Sequence, residues 1–171
     1  SRHAIRLGEV PKRLLVMGAG AVGMEFAYVY RAYGAEVTVI EMLDRVLPLE
    51  DVEAGELVRK SFERAGIDVR TSTKVTDIAV TDGGVRLTVE PAAGGAAEVL
   101  EGDQVLVAIG RVPNTENLGL EAVGIVTERG FVKVDDDLRS SLPHVYAIGD
   151  VAGAPMLAHK ASHEGVQAVE H

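Results

Sequence analysis

The residues with the clearest chemical meaning are the glycines of Gly18-Ala-Gly20-Ala21-Val22-Gly23, a G-x-G-x-x-G. The spacing suits a pyrophosphate. Gly18 permits a tight turn, Gly20 lets bare backbone approach the phosphates, and Gly23 lets a helix pack closely on the preceding strand. The helix would open at Ala21 and Val22, with its unpaired N–H groups facing the phosphates. A glycine turn that joins a strand to a helix and holds no ligand is the alternative. Glu41 stands about 20 residues beyond the fingerprint, where an acid binds the 2′-hydroxyl of a ribose. The same carboxylate repels a 2′-phosphate, so NAD is favoured over NADP. Arg45 pulls the other way, and a solvated carboxylate at a strand end is the plainer role for Glu41. His159 and His163 are four residues apart, but no glutamate general base stands between them as in H-E-x-x-H. They read as surface histidines, and no metal site is expected. The sequence has no cysteine, which removes disulfides, thiolate metal sites and a cysteine nucleophile.

These residues need particular elements around them. Arg13-Leu-Leu-Val-Met17 is a short apolar run between Pro11 and Gly18, as in a strand buried on both faces. Val22, Phe26 and Val29 then fall at helical spacing, with Gly34 at the C′ position. A β-branched run over 36–40 predicts a second strand ending just before Glu41. A second amphipathic helix is predicted over 51–65, with Leu57, Val58 and Phe62 on one face and Gly66 closing it. A third strand follows at 67–70. The pattern then changes to short runs at 75–81, 85–90 and 98–101, separated by Asp82-Gly-Gly84 and a loop at 91–97. That is hairpin chemistry. Residues 104–109 predict a further buried strand ended by Gly110. The fold class is therefore α/β, a Rossmann-like parallel sheet interrupted by an antiparallel three-stranded meander. Beyond Gly119 the pattern loosens. Short strands are predicted at 131–134 and 145–148, and a helix over 157–171.

Composition sets the outer bounds. The 171 residues suffice for one full domain and a remnant, and 47% apolar content supports a core. A net charge of −9 with no lysine and arginine run argues against nucleic-acid binding. The first residues hold no apolar signal-peptide core, and no run approaches a membrane span. The reading is a soluble protein with no membrane partner, and the lack of cysteine is compatible with the cytoplasm.

Three separated motifs together resemble the flavoprotein pyridine nucleotide-disulfide oxidoreductases. They are G-A-G-A-V-G-M-E-F-A from Gly18, A-I-G-R-V-P-N-T from Ala108, and V-Y-A-I-G-D ending at Asp150, with Leu157-Ala-His-Lys-Ala-Ser-His-Glu-Gly165 after it. The A-H-K-A segment looks like the dihydrolipoamide dehydrogenase branch. NADH oxidases, mercuric reductases and glutathione-reductase-like enzymes are its rivals, and a stand-alone NAD-binding module is a rival of another class. The resemblance implies that Gly18, Gly20, Gly23 and Glu41 hold NAD, with the backbone at Gly110 lining the same cleft. It implies that Asp150 meets the ribityl-pyrophosphate part of FAD, and that the backbone at Ala158 and His159 opens a helix aimed at the flavin. Glu25 matches a glutamate that pairs with a lysine beside the flavin, a lysine this sequence lacks. Plainer roles stand beside these: a surface carboxylate for Glu25, a turn cap for Asp150, and support of the Val112-Pro113 loop for Arg111 and Asn114. NADPH-using relatives carry arginines at positions aligned with Met42 and Pro48, which favours NAD here. The resemblance divides the chain into a linker at 1–10, an NAD domain at 11–118 and the second segment of a discontinuous FAD domain at 119–171. The family's redox cysteines would precede Ser1 and its dimerisation domain would follow His171. The chain then reads as a fragment with no catalytic residue of its own. It would come from a homodimeric parent that serves 2-oxoacid dehydrogenase complexes.

Overall fold

The computed structural model describes residues 2–170, and the chain separates into two compact units, one ending at Gly110 and one beginning at Arg111. The first unit opens with a single helical turn, α1 (Arg2–Ile5), and is organised by a parallel sheet. Strands β1 (Arg13–Met17), β2 (Glu36–Ile40), β3 (Asp68–Arg70) and β7 (Gln104–Val107) lie in the order β3-β2-β1-β7. The chain therefore runs outward from β1 to β3, then returns to the other side of β1. This makes the gap between β1 and β7 a topological switch point, where ligands of such sheets bind. Met17 is in register with both Ile40 and Val107, so three strands end at one level.

Both faces of this sheet are covered, which is why β1 is apolar from Leu14 to Met17. Leu14 and Val16 point to a core shared with helices α2 (Ala21–Ala32) and α3 (Val52–Arg64), where Met24, Ala27, Tyr30 and Ile67 pack. Leu15 and Ile40 point the other way, onto Leu87 and Val89. Those two belong to an antiparallel sheet of β4 (Thr73–Thr81), β5 (Gly84–Pro91) and β6 (Glu98–Gly102), with a register shift between Val75 and Asp77. The meander read from the sequence is thus the second cover of the sheet.

The helices depart from the predicted phase. On α2 the buried residues are Gly23, Met24, Ala27 and Tyr30, while Val29 is 41% exposed. The cause is Gly23: a side chain there would overlap the carbonyl oxygen of Gly18. The helix must turn that glycine to the strand, and Ala27 and Tyr30 follow at i+4 and i+7. On α3, Val58 and Phe62 reach the core but Leu57 is 68% exposed. Asp51 is not helical. It caps α3, its Oδ1 accepting from the N–H of Glu53 at 2.8 Å. At the other end Arg31 donates from Nε to the Ala65 carbonyl at 2.8 Å, and Gly66 takes φ +82°. The predicted strand to residue 109 stops at Val107. Ala108 still donates to the Met17 carbonyl, but Gly18 turns away beneath it and Ile109 is left 72% exposed.

The second unit is built around Ile125, Val132 and Ala147. It holds a small hairpin, β8 (Thr127–Glu128) and β9 (Phe131–Val132), a 3-10 turn at Gly149–Ala152, and helix α4 (Ala158–Glu170). β9 is shorter than the apolar run at 131–134. Residues 145–148 form no strand, contrary to their apolar pattern. They make one antiparallel bridge, Arg139 to Tyr146, flanked by Ser140 N–H to the Val145 carbonyl and Ala147 N–H to the Leu138 carbonyl. The partner segment cannot extend a ladder. Leu138 sits at φ +66°, and the Asp135 carboxylate takes the N–H groups of Asp137 and Arg139. Residues 111–118 group with the second unit, although the sequence pattern ends the first at 118. Thr115 donates to the Gly130 carbonyl at 2.7 Å, and Gly130 abuts Pro113.

Candidate functional site

At the switch point the three glycines do three different things. Gly18 holds φ +99°, and a Cβ on it would come within 2.6 Å of the Ala108 carbonyl oxygen. The turn is therefore wedged between the ends of β1 and β7, with Gly18 N–H bound to the Ile40 carbonyl at 2.8 Å. Gly23 is the close-packing glycine described above. Gly20 differs from both. It is the N-cap of α2 with φ −71°, no side chain caps the helix, and nothing lies within 4 Å of where its Cβ would stand. Backbone sterics thus do not demand glycine at 20, and the space above it is open. Ala21, exposed, and Val22, half-buried, form the first turn of α2. An open cradle at an uncapped helix N-terminus fits a phosphate group.

Glu41 follows β2 at the same level. Its Oε2 accepts from the N–H of Ala19 at 2.7 Å, and its Oε1 accepts from the N–H of Leu43 at 2.9 Å. Arg45 forms no ion pair with this carboxylate: its Nη2 donates to the Pro48 carbonyl at 3.1 Å. Met42 is 59% exposed beside it. Gly110 lies just beyond β7 at φ +155°, with nothing near its Cβ position. Glu25 is exposed on α2. A cleft of about 330 Å³ opens between the β2–α3 connection and α3, lined by Asp44, Arg45, Val52, Glu56 and Arg59 among others; no residue of the glycine loop lines it.

In the second unit Asp150 projects from the 3-10 turn and is exposed. Arg111 meets it, Nη1 to Oδ2 at 3.2 Å, and donates from Nη2 to the Met156 carbonyl at 3.1 Å. Arg111 therefore serves the Asp150 turn, not the Val112-Pro113 loop, which Thr115 holds; Asn114 is exposed. Both partners of the pair are about half exposed, so its strength is modest. Ala158 and His159 stand exposed in the first turn of α4.

Two residues to which the sequence pattern assigns no role hold this turn. Glu164 accepts the Gly149 N–H on Oε2 at 2.7 Å and the Lys160 ammonium on Oε1 at 2.9 Å, while Lys160 also donates to the Gly153 carbonyl at 3.1 Å. Burial pushes the Glu164 carboxyl up, but the Lys160 ammonium and the Gly149 N–H outweigh it and hold the group below the usual carboxylate range. The lysine-to-glutamate spacing of four was the available signal. The target, a backbone N–H fifteen residues earlier, left none.

A parallel sheet with a glycine turn at its switch point and an acid closing the next strand defines the class: an α/β domain of the Rossmann type. The particular family follows from comparison. The family model for pyridine nucleotide-disulphide oxidoreductases matches residues 1–165, and the chain belongs to that family. It is 48% identical to the dihydrolipoyl dehydrogenase of Thermus scotoductus, over 100% of this chain and 38% of that protein. Among solved structures it superposes on LpdA from Mycobacterium tuberculosis with a TM-score of 0.84 at 36% identity, over 96% of this chain and 35% of that one. It also superposes on the water-forming NADH oxidase of Lactobacillus brevis, solved with NADH, with a TM-score of 0.78 at 25% identity, over 99% of this chain and 38% of that one. The chain thus spans little more than a third of the length of these relatives. Among the described residues no helix is long and apolar enough to cross a membrane.

Proposed function

We propose that this chain binds NAD(H) and forms the nucleotide-binding part of a dihydrolipoamide dehydrogenase. The observation that carries the reading is Gly20. The other two glycines of the fingerprint are required by the protein's own packing, whereas Gly20 faces open space at an uncapped helix N-terminus. Glycine is needed there only if something outside the chain comes close. A pyrophosphate fits that space, with its charge facing the positive end of α2. The amides of Gly20, Ala21, Val22 and Gly23 would line it, Gly110 would border the cleft, and Glu41 would accept from the adenosine ribose. NAD is preferred to NADP because Arg45 is engaged with Pro48 and leaves the Glu41 charge to repel a 2′-phosphate.

The second unit supplies part of a flavin site in the longer protein. Asp150 offers acceptor oxygens to the hydroxyls of FAD, and the first-turn amides of α4 at Ala158 and His159 point the positive helix end outward. FAD, when bound, supplies the electron relay between a dithiol and NAD. This chain has no cysteine, so the dithiol belongs to another part of that protein. Glu25 would sit beside the flavin there. The whole protein is a cytoplasmic homodimer serving 2-oxoacid dehydrogenase complexes. The similarity to a dihydrolipoyl dehydrogenase over 100% of the chain supports the dihydrolipoamide dehydrogenase part of this reading. Titration calorimetry with NADH and NADPH tests the nucleotide reading. NADH should bind at least tenfold more tightly, and equal affinity would remove Glu41 from the site.

A further inference from the structure

The glycine loop and the connection from β2 to α3 are tied together at one residue. Ala19 is fully buried between Gly18 and Gly20. Its N–H donates to Glu41 Oε2 at 2.7 Å, and its carbonyl accepts from the N–H of Leu47 at 2.8 Å. The connection is itself held. Glu41 Oε1 takes the Leu43 N–H, Val46 is 1% exposed with its carbonyl against Gly55, and Leu47 is kept at φ +48°. A leucine keeps a left-handed backbone only where its surroundings over-determine it. The Glu41 carboxylate is therefore part of the wall of the loop before any nucleotide arrives. Each of its oxygens has spent one lone pair on a main-chain amide and keeps another for a ribose hydroxyl.

We infer that Glu41 is a positioning residue for the glycine loop in addition to a ligand of the ribose. Through Ala19 it fixes the Gly20 backbone where the pyrophosphate must lie. The inference rests on the nucleotide reading above. It makes a different prediction from simple ribose recognition, because positioning must matter even for a ligand with no 2′-hydroxyl. Removing Glu41 takes a charge-assisted acceptor from the Ala19 amide, so the loop should loosen.

The test uses the chain with E41A and E41Q, titrated with NADH and with its analogue lacking the adenosine 2′-hydroxyl. The exchange of the Ala19 amide is followed without nucleotide. E41A should weaken both ligands by about tenfold or more, and Ala19 should exchange at least about tenfold faster, the loss expected for one charge-assisted hydrogen bond. E41Q keeps the side-chain volume and one acceptor oxygen and should fall between; it carries the test if E41A does not fold. Unchanged affinity for the 2′-deoxy ligand in the variants overturns the inference, because Glu41 would then act on the hydroxyl alone. If the wild-type chain binds neither ligand, the nucleotide reading fails by itself, and the Ala19 exchange rate still decides whether Glu41 holds the loop.

Discussion

Alanine at Gly20 and alanine at Gly23 should fail in opposite ways. At Gly23 the new methyl would overlap the Gly18 carbonyl oxygen and stand 3.4 Å from Val16 Cγ1. The obstacle is backbone, so no rotamer change relieves it, and α2 must lift from the sheet. Met24, Ala27 and Tyr30 ride on the same face, each no more than 6% exposed. Overpacking of a tight core costs about 1–3 kcal/mol, and a clash against fixed main chain belongs at the upper end. Loss of about 3 kcal/mol should lower the melting temperature of a unit of this size by about 12 °C or more. At Gly20 the backbone is in an ordinary extended conformation with open space ahead. Alanine there loses only the N-cap preference for glycine, about 1 kcal/mol. Its methyl, however, occupies the space proposed for the pyrophosphate. Denaturant unfolding and NADH titration on both variants separate the effects. G20A should fold nearly as the parent and bind NADH at least tenfold more weakly, while G23A should be strongly destabilised. A G23A chain as stable as the parent would refute the packing argument. A G20A chain with parental NADH affinity would place the phosphates elsewhere.

Other outcomes follow from the same geometry. Arg31→Ala removes the guanidinium that bonds the Ala65 and Ala35 carbonyls, and should cost about 1–2 kcal/mol in denaturant unfolding with nucleotide affinity unchanged. The Glu164 carboxyl is held below its ordinary value, so its contribution is complete above the unfolded-state value and is lost as pH falls through the lower folded-state value. Protection of the Gly149 amide, taken as its exchange relative to the unstructured peptide at the same pH, should therefore fall on acidification below the usual glutamate range of about 4.3, and the E164Q chain should lack that step. The purified chain, without cysteine and at little more than a third of the length of its relatives, should be colourless and show no lipoamide-dependent NADH turnover. A yellow preparation with a flavin absorbance band would show that residues 119–171 build a flavin site unaided.

The sequence by itself determined the elements whose causes are local. β1 and β2 end where their apolar runs do, each opening on one exposed charged residue, because the positions of a strand covered on both faces are mostly apolar. The meander was legible from its turn residues, and the glycine fingerprint from its spacing between a strand and a helix. Matters decided between distant residues were not legible. The face that α2 buries is set by Gly23 against the Gly18 carbonyl, so that of Val22, Phe26 and Val29 only Phe26 packs against the core while Val29 is exposed. Residues 145–148 have the composition of a strand but lack a partner edge, because Leu138 and Asp135 curl the segment opposite. Glu41 could be chosen as an acid at a strand end, but not as the acceptor for Ala19, 22 residues away. Glu164 could be paired with Lys160 by helical spacing, but not with the Gly149 amide. A hydrogen bond to a remote backbone group depends on where the fold brings that group, and no pattern along the chain encodes it. Only the tertiary structure settled which acids stand free on the surface and which hold the main chain.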